Sequence, residues 1–386
     1  MLMKWIKEAN LLSLDEVAEM LAKNKANENG FELVRSTYMP IDSKFCLETS
    51  TFDQLRIWAE PANRENKINA LDNIIKKSQL FGLLRNKIES DDLIAVKTNL
   101  ATASQIDYHN YTDPVLVDHL VDVIENNGYS NVVIVESPCN ALLGYPELTP
   151  DNMGRLIKFR HPIHDLSKDR RIKIQFKKKS VDFSAFMLHC KSIINFAKSK
   201  NHDLMFFTGA LKNMYGTYPD ADKYRLFHHK KSGFYIPEAT WMVNHVTPPT
   251  FNIVDMVDSI DGEQVAYLKK EVGDFPHYQS NLIIAGEVQL AIDKFLAYKM
   301  GYEELKMPML QAELTFARDY TIQPSMVEGS LIPFPNWRRV SGFLNFKAKF
   351  IDKLPVSDDL IGAGIRMYKF PIIDKDYDML RFDEGV

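Results

Sequence analysis

The stretch between residues 91 and 136 limits the possible folds more than any other part of the chain. Residues 91–97 are an apolar run with polar ends, which predicts a buried strand. Thr112-Asp113-Pro114 then predicts a helix start, with a capping side chain before a proline at the first helical position, and Gly128 predicts the helix end. Residues 131–136 are a second apolar run. A strand, a helix and a strand so close together predict a βαβ unit and a sheet that is at least partly parallel.

Three further apolar runs extend the predicted sheet, over residues 192–197, 250–257 and 281–285. Helical spacing predicts a helix or helix pair over residues 66–84 and another helix over 288–300. The predicted fold class is therefore α/β, with a mixed, largely parallel sheet, flanking helices, an N-terminal helical extension and an irregular C-terminal region.

We predict three parts of the chain. Residues 1–65 form an N-terminal extension, residues 66–330 an α/β domain, and residues 331–386 a C-terminal extension that packs on this domain.

Charge and cysteine content narrow the class of function. A formal net charge of −4 and a pI of 6.2 argue against binding to nucleic acid or to a membrane surface. No stretch approaches the roughly 18 to 20 apolar residues of a membrane span, so we expect a cytoplasmic protein.

Cys46, Cys139 and Cys190 are far apart and odd in number, which predicts free thiols and no iron–sulfur cluster. The helices show no pattern that predicts an oligomeric state.

A first candidate site follows the strand that ends near Lys97. Lys97, Thr98 and Asn99 place an ammonium, a hydroxyl and an amide at the carboxyl end of a parallel strand, where α/β proteins bind ligands. These groups would bind an anion. The alternative interpretation is a lysine that extends to solvent beside an asparagine turn.

A denser candidate site follows the strand over residues 192–197. Its cationic and titratable members are Lys198, Lys200, His202 and Lys212, and it also contains Thr208, Gly209, Asn213 and Gly216. The glycines permit a close backbone approach or a positive φ. Clustered lysines depress one another's pKa, which suits a general base or nucleophile near neutral pH. The alternative interpretation is a basic loop with glycine turns.

Two aspartates stand apart from these cations. Asp258 lies beside the turn signal Asp261-Gly262, so a turn role competes with a role in the site. Asp293 interrupts an apolar helix, and if buried it needs a partner, for which one of the clustered lysines is a candidate. No Walker loop and no Gly-x-Gly-x-x-Gly motif is present, so the sequence predicts no nucleotide site of either kind.

The order of these motifs resembles that of the domain of unknown function 362 family. The matching pieces are residues 96–100, the helix that starts at Pro114, residues 132–137, residues 200–202, residues 208–213 with Gly216, the region of Asp255, Asp258 and Gly262, and residues 291–293. The resemblance covers residues 66–330, and the run Thr208 to Asn213 is its most specific piece. Many members carry ferredoxin-like cysteine clusters, which the three scattered cysteines cannot form, so a direct electron-transfer role is not expected.

A second resemblance bears on mechanism. The spacing of His202, Lys212 and His228 is similar to that in the N-terminal domain of nickel-pincer lactate racemases. The resemblance implies that His202 transfers protons, that Lys212 anchors the pincer cofactor and that His228 ligates a divalent metal such as nickel. The chain departs from that family at Asn213 and Gly216, where a proline-glycine ending is expected, and it lacks the upstream paired histidines. We therefore expect a shared fold and pocket rather than the cofactor.

We expect an enzyme that binds a small anionic metabolite, a carboxylate or phosphate, at the carboxyl edge of the sheet. Lys97, Asn99 and Thr208 position the anion, and Asp258 or Asp293 orients a lysine. The other expected substrate-binding residues are Lys198, Gly209 and Asn213. Lys200, His202 and Lys212 supply acid–base or covalent chemistry, with proton transfer of the isomerase or lyase type favoured over redox chemistry. Two alternatives remain open: a metal- or pincer-dependent isomerase of a 2-hydroxy acid, and a non-catalytic accessory or metabolite-binding protein.

Overall fold

The computed structural model describes the middle of the chain and part of its ends. The described residues are 16, 19, 31–33, 56–100, 110–137, 149–176, 179–202, 205–219, 223–227, 236–262, 277–302, 309–310 and 324–340. Most of both predicted extensions lies outside these ranges.

The described strands form one large sheet and two small ones. In chain order they are β1 (Phe31–Leu33), β2 (Ile57–Pro61), β3 (Ile94–Lys97), β4 (Val132–Glu136), β5 (Ile163–Asp165), β6 (Arg171–Phe176), β7 (Lys179–Ser184), β8 (Ser192–Lys198), β9 (Lys200–His202), β10 (Phe206–Thr208), β11 (Phe251–Met256), β12 (Leu282–Gly286) and β13 (Val327–Gly329). The large sheet has eight strands in the order β13-β2-β12-β11-β8-β3-β4-β5. Strands β11, β8, β3, β4 and β5 run parallel, whereas β12 is antiparallel to both of its neighbours.

Helices cover both faces of this sheet. They are α1 (Lys67–Lys77), α2 (Leu80–Arg85), α3 (Pro114–Asn126), α4 (Pro150–Leu156), α5 (Ala185–His189), α6 (Ala210–Met214), α7 (Lys223–Phe227), α8 (Ile236–Val246) and α9 (Gln289–Met300). One apolar core, on what we call the α3 face, joins the sheet to α1, α2 and α3. The other, on the α6 face, joins it to α6, α8 and α9. The predicted α/β class, with a largely parallel sheet and flanking helices, is confirmed.

The predicted βαβ unit is present as β3, α3 and β4. The two strands are parallel neighbours in which Ile94 pairs with Val132. The Asp113 side chain caps α3 by accepting a hydrogen bond from the backbone N–H of Val115, and Pro114 follows it. The helix forms here because the cap satisfies one of its otherwise unpaired N–H groups and proline needs no partner for its nitrogen.

Regular structure also forms in the described residues between 149 and 184, where the sequence analysis predicted no strand. Strand β5 pairs with β4 at the edge of the large sheet, and β6 forms a hairpin with β7. In this hairpin Ile172, Ile174, Val181 and Phe183 alternate with polar residues and are buried. Such alternation is the pattern of a half-buried strand, but charged neighbours make it easy to miss.

None of the described helices combines the length and the apolar character that crossing a membrane requires.

Candidate functional site

The two predicted lysines at the strand ends lie on opposite faces of the sheet. Lys97 of β3 pairs in register with Asn195, whereas Lys198 of β8 pairs with Asp255, so β8 continues beyond the end of β3. Side chains alternate along a strand, which puts Lys97 on the α6 face with Ala95 and puts Lys198 on the α3 face. The sheet therefore separates two cations that were expected to converge.

On the α6 face, Lys97 forms a buried ion pair with Glu136. The Lys97 Nζ lies 3.0 Å from each of the two Glu136 carboxylate oxygens, and the side chains are 1% and 5% exposed. Burial lowers the pKa of Lys97, and Glu136 opposes this shift. The carboxylate also accepts the backbone N–H groups of Leu100, at 3.0 Å, and Ser137, at 2.9 Å. The pair is thus held rigidly at the ends of β3 and β4.

Gly216 is needed because this pair touches the backbone. A Cβ at Gly216 would lie 2.6 Å from the Lys97 Nζ and 2.8 Å from Glu136 Oε1. Both distances are shorter than carbon contacts allow, so a side chain here would displace the ion pair. The sequence predicted that Gly216 permits either a close approach or a positive φ, and the structure shows a close approach by the ion pair.

On the α3 face, Lys198 forms a second buried pair with Asp255. The Lys198 Nζ lies 3.0 Å from Asp255 Oδ2, and the side chains are 2% and 0% exposed. Asp255 also accepts the backbone N–H groups of Asp113 and Val257, each at 3.0 Å. Because Asp113 caps α3, this carboxylate ties the start of that helix to β8 and β11.

Lys200 is also buried, two residues after Lys198. Its Nζ donates to both the backbone carbonyl and the side-chain Oδ1 of Asn110. An ammonium group can only donate, so the amide of Asn110 must turn its oxygen to Lys200 and its Nδ2 away.

His202 and Lys212 are half-buried and have different surroundings. The His202 Nδ1 accepts the backbone N–H of Met205 at 3.2 Å, which links the end of β9 to the residue before β10. The Lys212 Nζ lies over the Tyr215 ring, 5.6 Å from its centroid. These contacts do not join either side chain to the buried lysines at the strand ends.

Asp293 of α9 accepts hydrogen bonds from the first backbone N–H groups of α6. Its Oδ1 accepts the N–H of Ala210 at 2.7 Å and its Oδ2 that of Leu211 at 3.1 Å. Burial raises the pKa of Asp293 to about 7, and the two N–H bonds oppose the shift. These two N–H groups are the hydrogen-bond partners of Asp293, a role for which a clustered lysine was expected. A Cβ at Gly209 would lie 2.2 Å from Asp293 Oδ1, so Gly209 is needed for this approach.

Asp258 and Thr208 make local contacts instead of meeting a lysine side chain. Asp258 accepts a hydrogen bond from Arg64 Nε at 2.7 Å. The Thr208 hydroxyl donates to the backbone carbonyl of Lys198 at 2.8 Å. Asn213 donates to the backbone carbonyl of Lys97 at 3.2 Å and accepts from Asn99 at 3.1 Å.

Four of the buried polar atoms that have no hydrogen-bond partner in the described structure lie on the segments that adjoin the ends of β3 and β8. They are Thr98 Oγ1, Asn99 Oδ1, Asn110 Nδ2 and Ser199 Oγ.

The segments that carry these atoms are tied together. Thr112, two residues after Asn110, accepts from the N–H of Asn99 and donates to the carbonyl of Phe196. Lys200, the residue after Ser199, binds Asn110. Buried polar atoms are rarely left unpaired, so these four are candidates for contact with a ligand.

Sequence reasoning missed several residues of this edge, among them Glu136 and Ser137. Ser137 Oγ accepts from the Lys223 Nζ at 2.7 Å, and both residues are buried. The available signal was an acidic residue that ends an apolar strand, as Glu136 does after Val132-Val133-Ile134-Val135. A buried carboxylate needs a cationic partner, so Glu136 could have been matched with Lys97.

The hypothesis of a metal or pincer cofactor stays a prediction. Within the described ranges, no group of three or more His, Cys, Asp and Glu side chains is arranged to hold a metal ion. His228, the expected metal ligand, lies outside the described residues, as do Cys46 and Cys139. Cys190 is a free thiol whose pKa is raised well above its usual value by burial.

Much of this chain matches the sequence model of a known protein family. The sequence model described as Domain of unknown function (DUF362) matches residues 94–298. The chain belongs to the DUF362 family. No curated protein matches it.

The DUF362 match begins at the first residue of β3 and ends within α9. It therefore encloses both buried ion pairs, all four unpartnered polar atoms and Asp293. Arg64, the partner of Asp258, lies outside it.

Proposed function

We propose that this protein is an enzyme that binds a small anionic metabolite at the carboxyl edge of β3 and β8 and transfers a proton. The observation that carries the proposal is the group of four buried polar atoms without partners, Thr98 Oγ1, Asn99 Oδ1, Asn110 Nδ2 and Ser199 Oγ. Three of these groups can donate hydrogen bonds, and a carboxylate or phosphate needs donors. Their position agrees with the rule that open α/β sheets bind ligands beyond the carboxyl ends of their strands.

Lys200 supports anion binding in two ways. Its ammonium group holds the oxygen of Asn110, which leaves the Asn110 Nδ2 as a donor. It also adds positive charge close to this donor in a buried setting, where charge interactions are stronger than in water.

Proton transfer is assigned to lysine or histidine. Lys97 has a pKa lowered by burial, which favours a role as a base. His202 and Lys212 remain the residues proposed from the sequence. Chemistry of the isomerase or lyase type needs such a base and no redox centre.

Binding is tested with the full chain and three probes, inorganic phosphate, acetate and succinate, at constant ionic strength. We expect at least one probe to raise the melting temperature and to bind in calorimetry. Thr98→Val and Ser199→Ala should each weaken that binding about tenfold, because a buried donor to an anion contributes about 1.5–3 kcal/mol. Ser90→Ala changes an exposed serine and serves as the matched control. Binding that is equal in all four proteins contradicts the proposed site.

Catalysis is tested by solvent exchange. Lactate is incubated with the protein in deuterium oxide, and the loss of its carbon-bound proton beside the carboxylate is followed by NMR. We expect exchange in the wild type and a decrease of about a hundredfold or more in Lys97→Met, His202→Ala or Lys212→Ala, whichever removes the base. If exchange is unchanged in all three, the assignment of the base is wrong.

A non-catalytic metabolite-binding protein is the second candidate. The observation in its favour is that Lys97 and Lys198 are each already held in a buried ion pair. Lysines held in this way stabilise the edge of the sheet without reacting. A probe that stabilises the protein but never exchanges protons favours this second function.

A further inference from the structure

Four asparagine side chains form a continuous chain of hydrogen bonds across the α6 face. Asn252 of β11 accepts from Asn195 of β8 at 2.9 Å, and Asn195 accepts from Asn213 of α6 at 2.7 Å. Asn213 in turn accepts from Asn99, just beyond β3, at 3.1 Å. Each link joins an Nδ2 to an Oδ1, so the chain has a direction.

Backbone carbonyls fix this direction. The Asn252 Nδ2 donates to the carbonyls of Gly286 and Glu287, at 3.2 and 3.0 Å. The Asn195 Nδ2 donates to the carbonyl of Ala210 at 2.8 Å. A carbonyl can only accept, so turning either amide over would set oxygen against oxygen.

The same argument applies to Asn213. Its Nδ2 donates to the carbonyl of Lys97 at 3.2 Å, so its oxygen must face Asn99. Asn99 is therefore forced to present its Nδ2 to Asn213.

The consequence of this fixed direction appears at Asn99, the open end of the chain of hydrogen bonds. The oxygen of Asn99 is left buried, as an acceptor for which no described residue supplies a donor. Leaving a buried acceptor unpaired costs about 1–3 kcal/mol. A ligand that carries a donor would recover this cost, whereas a second anionic oxygen would be repelled.

We propose that Asn99 determines specificity by requiring a hydrogen-bond donor, a hydroxyl or an ammonium, on the ligand beside its anionic group. Thr98 and Asn110, on the adjoining segments, bind the anionic group itself. The ligand class is thus a hydroxy- or amino-substituted acid rather than a plain carboxylate. This inference rests on the proposed anion binding and changes the role of Asn99 from anion donor to acceptor.

The test uses three matched acids, propionate, lactate and alanine, with calorimetry on the full chain at constant ionic strength. They share a three-carbon skeleton and a carboxylate and differ in the substituent. We expect lactate or alanine to bind about tenfold more tightly than propionate, as one recovered hydrogen bond predicts. Equal binding of all three overturns the inference and leaves the anion site standing. Binding of none overturns the proposed function and the inference with it.

Variants at Asn99 separate this role from a structural one. In Asn99→Ala the preference for lactate or alanine over propionate should fall to about one, while propionate binding stays within about threefold. A folded Asn99→Ala protein that keeps the preference overturns the inference. Asn73→Ala, which removes an exposed amide that donates to Glu60, is the control and should keep the preference.

A second variant covers the case in which Asn99→Ala does not fold. Asn99→Asp keeps an acceptor of the same size, adds a negative charge and replaces the amide that donates to Asn213 with an oxygen. We expect the ratio of alanine to lactate affinity to rise about tenfold, since a carboxylate favours an ammonium over a hydroxyl. An unchanged ratio overturns the inference. Circular dichroism and thermal melting establish that each variant is folded.

Discussion

The buried lysines Lys198 and Lys200 come from the same short segment as His202 of β9 and Lys212 of α6, but the two groups have different environments. Lys198 and Lys200 are almost completely buried, and Lys198 is paired with a carboxylate. His202 and Lys212 are half-buried, and they contact the backbone of Met205 and the ring of Tyr215, respectively. A cluster of cations in the sequence thus divides into buried groups that hold the sheet edge together and half-buried groups.

The largest effect is expected at the buried pair. Lys198→Met leaves the Asp255 carboxylate buried without its cation, which should lower the free energy of unfolding by about 3–5 kcal/mol. Urea denaturation measures this loss. Lys76→Met changes an exposed lysine and should alter the free energy by less than about 0.5 kcal/mol. A loss below about 1 kcal/mol in Lys198→Met would remove the distinction drawn between the two groups.

A smaller effect is expected at Gly209. Gly209→Ala forces a methyl group against the Asp293 carboxylate, and such overpacking costs about 1–3 kcal/mol. The control is Gly82→Ala in α2, where the nearest atom to the added Cβ is 3.8 Å away. Alanine suits a helix better than glycine, so Gly82→Ala should be neutral or stabilising. Equal melting temperatures for the two variants would show that α6 can move away from Asp293.

The pH dependence of stability tests Asp293 itself. Its pKa in the folded protein is raised to about 7, above that of the unfolded chain, so the folded state binds the proton more tightly. The stabilisation is therefore complete below about pH 4 and is lost as the pH rises to about 7, by up to about 1.4 kcal/mol per pH unit.

Asp293→Asn cannot titrate and should lack this loss. The difference in unfolding free energy between wild type and Asp293→Asn, measured from pH 4 to 8, should decrease with pH. Asp91→Asn, at an exposed position, is the control variant. A difference that is constant with pH contradicts the raised pKa.

The smallest effect on stability is expected at His202 and Lys212. Each alanine variant should lower the free energy of unfolding by no more than about 1 kcal/mol, as is usual for partly exposed side chains. Denaturation measures this, and the exchange experiment with lactate measures activity on the same samples. A loss above about 2 kcal/mol in either variant would place that residue with the buried group.

Much of the fold follows from local signals. The run of residues 91–97, the cap at Asp113 with Pro114, and the apolar strands after them predict the elements that form. Strands that are joined through helices run in the same direction, so these elements predict a largely parallel sheet. The short strand β5 and the β6–β7 hairpin were missed, since a few residues of alternation among charges carry a weak signal.

The sequence alone predicted that Lys97 and Lys198 follow strands of a partly parallel sheet and that Gly209 and Gly216 permit either a close approach or a positive φ. The structure shows that both glycines are positions of close approach. The tertiary structure decided which face each lysine occupies, because this depends on the register by which Lys97 pairs with Asn195 and Lys198 with Asp255. It also decided which atoms stay unpaired. The spacing of residues along one strand or helix is a local property of the chain. The register between strands and the hydrogen-bond partners of side chains depend on segments that are far apart in sequence.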